Sequence, residues 1–224
     1  MADHSPVKAL IADDHSLYRT GLALLLNDRL GIAEVIQVSG FDDALDCLAT
    51  HPDIKLALFD LSMPGMGGPQ SLSVVKETYP DVRVAVVSGS EDREHVLAAV
   101  SIGLSGYVPK SLPEDEIVKA LELILDGQVY IPRFMTASAV RPSAAKPEQA
   151  TSQVAARVEV SIDDLTVRQR DVLQCILRGR ANKEIARELD IAEGTVKIHL
   201  AALFAQFGAR NRTELATRAQ LLGG

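Results

Sequence analysis

The chain has no tryptophan, two cysteines and only 4% aromatic residues among its 224. Cys47 and Cys175 each sit inside an apolar pattern of helical period. Both read as core thiols in a reducing compartment, in preference to a disulfide or a cysteine-built metal site. No apolar segment approaches the ~20 residues that cross a bilayer, so no membrane partner is expected. The opening MADHSPVKAL lacks the basic and apolar regions of a secretory signal, and a cytoplasmic protein is the expectation. Basic residues are scarce in one half. Residues 1–131 hold 9 Lys and Arg against 20 Asp and Glu, residues 132–160 hold 4 against 2, and residues 161–224 hold 10 against 8. An acidic front joined to a mildly basic back implies two domains with different partners.

What is present alternates. Short apolar runs at Val7–Ala12, Ala33–Val38, Leu56–Phe59, Val82–Val87 and Gly106–Val108 are separated by helical patterns at Ser16–Asn27, Phe41–Thr50, Pro69–Tyr79 and Glu91–Ile102, with a last one at Pro113–Leu125. Five such units predict a doubly wound five-stranded parallel sheet covered on both faces, over residues 1–131. Residues 132–160 contain TASAVRPSAAKPEQATSQVAA, which has no apolar period and reads as a flexible linker. Residues 161–224 carry only helical patterns, at Val167–Leu177, Lys183–Leu189, Thr195–Phe207 and Thr213–Leu222, and predict an all-α tetrahelical domain.

Sites on parallel α/β sheets form at the carboxyl ends of the strands. Here those ends carry Asp13 and Asp14, then Asp60, then Ser88, then Lys110. In KLALFDLSMPGMGG the apolar run ends in a lone carboxylate, Asp60, and burying it unpaired is costly. Clustered carboxylates call for a counter-cation, and an oxygen-rich set suits Mg²⁺. An aspartate can also attack phosphorus and form an acyl phosphate. Singly, each residue has an ordinary role: Asp13 or Asp14 as a helix cap, Asp60 as an Asx-turn, Ser88 as a strand end, Lys110 as a solvated lysine. Their convergence on one sheet edge favours chemistry.

In the tail, ANKEIARELDIAEGTVKIHLAALFAQFG reads as helix, turn, helix. Ile185, Ala186 and Leu189 face inward on the first helix, and Ile191 fills the turn. Val196, Leu200, Leu203 and Phe207 form the buried stripe of the second, which leaves Thr195, Lys197, Ile198, Ala201, Ala202 and Ala205 outward. Small outward residues and a basic N-terminal end fit a major groove. A helical bundle with solvated charges is the alternative, because a net charge of +2 is weak for DNA binding. His199 is expected to pack or to meet phosphate, since no second metal ligand stands at a suitable spacing.

IADDHSLYRTGL, LFDLSMPGMGG, VVSGSE and GYVPKS resemble the receiver domain of two-component response regulators over residues 7–126. LTVRQRDVLQCILRGRANKEIARELDIAEGTVKIHLAALFAQFGARNRTELATRA resembles the LuxR-type helix-turn-helix domain of the NarL/FixJ class over residues 165–219. The resemblance implies a flavodoxin-like receiver with Asp60 as phosphoacceptor, and Mg²⁺ held at Asp13, Asp14, Asp60 and Ser62. It implies Ser88 as the switch hydroxyl, Tyr107 as the aromatic switch and Lys110 as the phosphate-pairing lysine. Tyr107 also reads as a core-edge ring with its hydroxyl in water. In the tail the resemblance implies Lys197, Ile198 and Ala201 at the groove, Asn182, Lys183, Thr195 and Arg212 positioning the backbone, and Leu215 and Ala219 at a dimer contact. The implied protein is a phosphorylation-controlled transcription regulator and not an enzyme. Its partners are a sensor histidine kinase, promoter DNA, a second copy when active, and RNA polymerase. The chain departs from the family pattern at Ser88, Gly89, Ser111, Val167, Gln169, Ala201 and Gln206. Rival readings are an aspartyl-phosphate hydrolase, which would want an acid where Ser62 stands, and a regulator controlled by protein binding alone.

Overall fold

The computed structural model describes residues 7–66, 68–135 and 165–222. Five strands, β1 (Lys8–Ala12), β2 (Glu34–Val38), β3 (Ile54–Phe59), β4 (Arg83–Ser88) and β5 (Gly106–Pro109), pair in parallel in the order β2-β1-β3-β4-β5. Alternate residues of a strand feed opposite faces, as β3 illustrates: Leu56 and Leu58 enter one core, Ala57 and Phe59 the other. Helices α1 (Ser16–Leu30) and α5 (Glu114–Leu125) cover the first face through Leu22, Leu26, Leu121 and Ile124. Helices α2 (Phe41–Thr50), α3 (Ser71–Thr78) and α4 (Arg93–Ser101) cover the second through Phe41, Leu45, Val75 and Val96. Phe41 and Phe59 meet edge-on at 6.0 Å.

The expected strands and helices are all present, with α2 and α6 matching at both ends and no end shifted by more than three residues. Strand β3 starts at Ile54, two residues early, because Lys55 breaks the apolar run while its backbone continues the ladder. The expected linker start is corrected. Pro132 is buried, Arg133–Met135 form a 3₁₀ turn, and Phe134 and Met135 pack on the receiver core. The Arg93 guanidinium donates to the Phe134 and Met135 carbonyls at 3.3 and 3.2 Å. Just upstream, Tyr130 pairs along β5, with Tyr107 N–H donating to its carbonyl and its own N–H to Ser105 O, both at 3.1 Å. The rest of the expected linker lies outside the described residues.

The tail has four helices, α6 (Val167–Leu177), α7 (Asn182–Leu189), α8 (Glu193–Phe207) and α9 (Arg212–Leu222), around their own core of Leu165, Val172, Leu173, Ile185, Val196, Leu200, Leu203 and Phe207. A capping box starts α6: Thr166 Oγ1 accepts from Gln169 N–H at 3.2 Å, and Gln169 Oε1 accepts from Thr166 N–H at 3.1 Å. The stripe of Val196, Leu200, Leu203 and Phe207 lies inward as expected. Leu215 and Ala219 also turn into this core, at 0% and 2% exposure, and not outward. Apolar side chains at that spacing serve the bundle first; the outward apolar residues of α9 are Leu221 and Leu222.

Candidate functional site

The order β2-β1-β3 reverses the winding between β1 and β3, and a crevice opens at their carboxyl ends. The ladder runs on just past the strands, with Asp60 N–H donating to Ala12 O at 2.9 Å and Lys110 N–H to Ser88 O at 2.8 Å. Asp13, Asp60 and Ser88 are thereby held at the rim, and all three are buried. Lys110 Nζ bridges Asp13 Oδ2 at 2.7 Å and Asp60 Oδ2 at 2.9 Å, and lies 4.8 Å from the centre of the Tyr18 ring. Burial alone would depress the Lys110 ammonium, but the two carboxylates outweigh it and hold its pKa above the ordinary value. Burial, followed by the charges of Asp13 and Asp60, pushes the Tyr18 phenol up. Asp60 Oδ1 accepts from Ser62 N–H at 3.2 Å, so the loop backbone grips the carboxylate by its other oxygen.

Asp14 is at the mouth, with His15 Nδ1 2.8 Å from its Oδ1, 3.4 Å from Asp13 Oδ1 and 3.9 Å from Asp60 Oδ2. One ligand atom from each of these four residues falls within a 4.8 Å cluster that could hold a metal ion. Sequence reasoning missed His15, although it stood in the quoted stretch ADDHSL. Asp13 does not cap α1; its Oδ1 accepts from His15 N–H at 2.8 Å, a local turn that aims the carboxylate inward. Ser62 contributes its N–H to Asp60.

Ser88 Oγ accepts from Ser90 N–H at 3.1 Å, and the Tyr107 hydroxyl donates to Ser90 O at 2.7 Å. Tyr107 is fully buried, so the reading with its hydroxyl in water is corrected. The β4–α4 loop offers a carbonyl inside hydrogen-bond reach, and burying the ring costs no polar group. Ser88, Ser90 and Tyr107 form one chain from the pocket to β5.

The second candidate surface is the outward face of α8. Lys197 is exposed, but Thr195, Ile198 and Ala202 are buried at 0–1% exposure and Ala201 is half-buried. Ile198 is outward from the tail and covered by the receiver, in the cluster that holds Leu72 and Val75, and Thr195, Ala201 and Ala202 lie on the same side of α8. The α8 start abuts the end of α3 so closely that a Cβ on Gly194 would come within 2.8 Å of Thr78 Cγ2. His199 Nδ1 lies 3.5 Å from Asp42 Oδ1 across the same seam. Burial lowers the His199 pKa to about 4 and raises that of Asp42. Lys183 is exposed. Arg212 is turned back, donating to Asn182 Oδ1 at 3.3 Å and to the Arg180 carbonyl.

Comparison with known proteins agrees with both halves. The family described as "Response regulator receiver domain" matches residues 9–122, and "Bacterial regulatory proteins, luxR family" matches residues 163–219. The chain belongs to the NarL/FixJ class of response regulators. The glycerol metabolism activator of Pseudomonas putida is 35% identical over 92% of both chains, and the nitrate/nitrite response regulator NarL of Escherichia coli K12 is 33% identical over 96% of both. A LuxR-family two-component response regulator from Aurantimonas sp. SI85-9A1 aligns with a TM-score of 0.54 at 27% identity, over 59% of this chain and 94% of that one. This chain is therefore a phosphorylation-controlled, DNA-binding transcription regulator. Among the described residues no helix is long and apolar enough to cross a membrane.

Proposed function

We propose that Asp60 is the phosphoacceptor and that its phosphorylation uncovers the outward face of α8 for promoter DNA. The observation that carries this reading is the Asp60 carboxylate, 1% exposed, gripped by Lys110 on one oxygen and Ser62 N–H on the other. A buried, oriented carboxylate beside a fixed ammonium is a nucleophile whose product charge is already matched. The P–N bond to a histidine of the partner kinase breaks as a P–O bond to Asp60 forms. Asp13, Asp14 and Asp60 would hold Mg²⁺ with the Ser62 segment, an oxygen set this hard cation prefers. Bound there, the ion offsets the carboxylate charges and the developing charge on phosphoryl oxygens. Lys110 pairs with the phosphoryl group, and Ser88 turns to it, releasing Ser90 N–H and shifting the carbonyl that Tyr107 holds.

The kinase has a docking face beside this pocket. A groove of about 730 Å³ between α1 and α5 is lined by Leu17, Leu24, Leu112 and Ile117 and reaches Lys110. Leu17 is 87% exposed, apolar surface next to the path a phosphohistidine must take. Once uncovered, Lys197, Ile198 and Ala201 meet base edges or phosphate, with Thr195, Asn182, Lys183 and Arg212 around them. A single lysine on that face makes monomeric binding weak, so two copies bind together, with Leu221 and Leu222 of α9 available for their contact. The protein acts in the cytoplasm as a regulator that turns over no free substrate, with RNA polymerase as a further partner at the promoter. The test is treatment with acetyl phosphate and Mg²⁺. Asp60 should gain one phosphoryl group by intact mass and DNA affinity should rise; labelling without any change in affinity would overturn the coupling.

A further inference from the structure

One polar contact joins the two halves in a fully buried place. Gln169 is 0% exposed, and its Nε2 donates to Gly65 O at 2.8 Å. Its Oε1 accepts from Thr166 N–H, so the orientation of the amide is fixed by its partners: Thr166 N–H can only donate and Gly65 O can only accept. Gly65 stands five residues after Asp60, with φ of +83°, and a Cβ there would come within 2.7 Å of Thr166 Cγ2. Only glycine allows this approach, which presents the loop carbonyl to the first turn of α6. The loop is itself anchored: Ser62 N–H is on Asp60, Met63 and Met66 are buried in the receiver core, and Met66 N–H donates to Met63 O at 3.2 Å. A short, packed segment therefore connects Asp60 to the Gly65 carbonyl.

We infer that the Gln169 carboxamide is the tether through which the phosphorylation loop holds the tail against the receiver. The inference rests on the reading in which the covered α8 face is the off state. The chemistry demands an amide. A glutamate at 169 keeps the acceptor for Thr166 N–H, and with it the capping box, but has no donor for Gly65 O. It places a carboxylate against a carbonyl in a buried site, which is strongly unfavourable. Linkage then requires reciprocity: if occupying the Asp60 site loosens the tether, loosening the tether strengthens binding at the Asp60 site.

The experiment uses four unphosphorylated full-length chains: wild type, Gln169→Glu, Thr78→Lys and the double variant. The probe is a duplex selected from a random pool by the phosphorylated wild type. Thr78 is on the receiver against Gly194, so Thr78→Lys wedges the seam without touching the DNA face. Gln169→Glu should tighten DNA binding about tenfold or more, as should Thr78→Lys, and adding Gln169→Glu to Thr78→Lys should change affinity by less than about twofold. Beryllofluoride with Mg²⁺ should bind more tightly to Gln169→Glu than to wild type. If Thr78→Lys tightens DNA binding and Gln169→Glu does not, the tether is wrong while the covered off state stands. An equal gain in both backgrounds makes the substitution a direct DNA effect and overturns the inference. Unchanged beryllofluoride affinity overturns the link to the loop. If neither variant tightens binding, the off-state reading fails and the tether with it.

Discussion

Ile198, on the face of α8 that points away from its own domain, is buried in one apolar cluster with Val75 of the receiver. A single side chain thus seals the seam, which is the off state under the proposed function, and stands beside the lysine proposed to meet DNA. Ile198 is absent from the tail's own core, so Ile198→Ala should leave that domain folded while weakening the seam by about 2–5 kcal/mol. Hydrogen exchange should accelerate in Ser71–Thr78 and at the start of α8, with α6 unchanged beyond its first turn. Acceleration throughout α6 and α7 would show that Ile198 supports the tail itself.

Asp60→Asn should keep the sheet intact, because the Asp60 N–H bond to Ala12 O is made by the backbone. Labelling by acetyl phosphate should fall to background. Intact-mass analysis finding undiminished labelling of the asparagine variant would move the acceptor elsewhere.

Lys197→Ala should weaken DNA binding by the phosphorylated protein. A phosphate contact gives a uniform loss and a salt slope lower by about one unit. A base contact costs about 1–3 kcal/mol at one position of the site. Titrations over several salt concentrations and single-base variants separate the two, and no change in either removes Lys197 from the interface.

The His199–Asp42 seam should respond to pH. The His199 pKa is lowered from 6.5 to about 4 when covered, so its proton favours the open state. Its support for docking is complete above pH 6.5 and is lost as pH falls toward 4. At pH 5.5 the closed state should be disfavoured about tenfold relative to pH 7.5. Asp42, raised chiefly by burial, works in the opposite direction but in the lower carboxylate range, and Asp46 and Arg168 are the other charges acting across the seam. DNA affinity of the unphosphorylated chain should therefore rise on acidification from pH 7.5 to 5.5, and His199→Gln should flatten the profile. A flat profile in wild type would mean that His199 reaches water when docked.

The acidic pocket was legible because one topology rule places every strand end on one rim, and Asp13, Asp60, Ser88 and Lys110 lie there. Helix periodicity likewise separated Val196, Leu200 and Leu203 from Ile198. Periodicity cannot tell a face left for DNA from a face covered by another domain, since both are outward from their own helix. It equally could not place Leu215 and Ala219, whose spacing suits a bundle core as well as a dimer contact. The Gln169–Gly65 bond joins residues 104 positions apart, and no local signal encodes it. His15 was overlooked because it follows two stronger acids in a turn.

The Arg133–Met135 turn has a practical corollary for anyone severing the receiver. A cut after residue 131, where composition changes, would remove Phe134 and Met135 from the core they cover and leave Arg93 without two of its carbonyl acceptors. The fragment would also loosen the Tyr130 segment that pairs with β5, baring a sheet edge able to recruit another chain. Trimmed there, the receiver should clump on storage and on heating; four residues more should keep it dispersed.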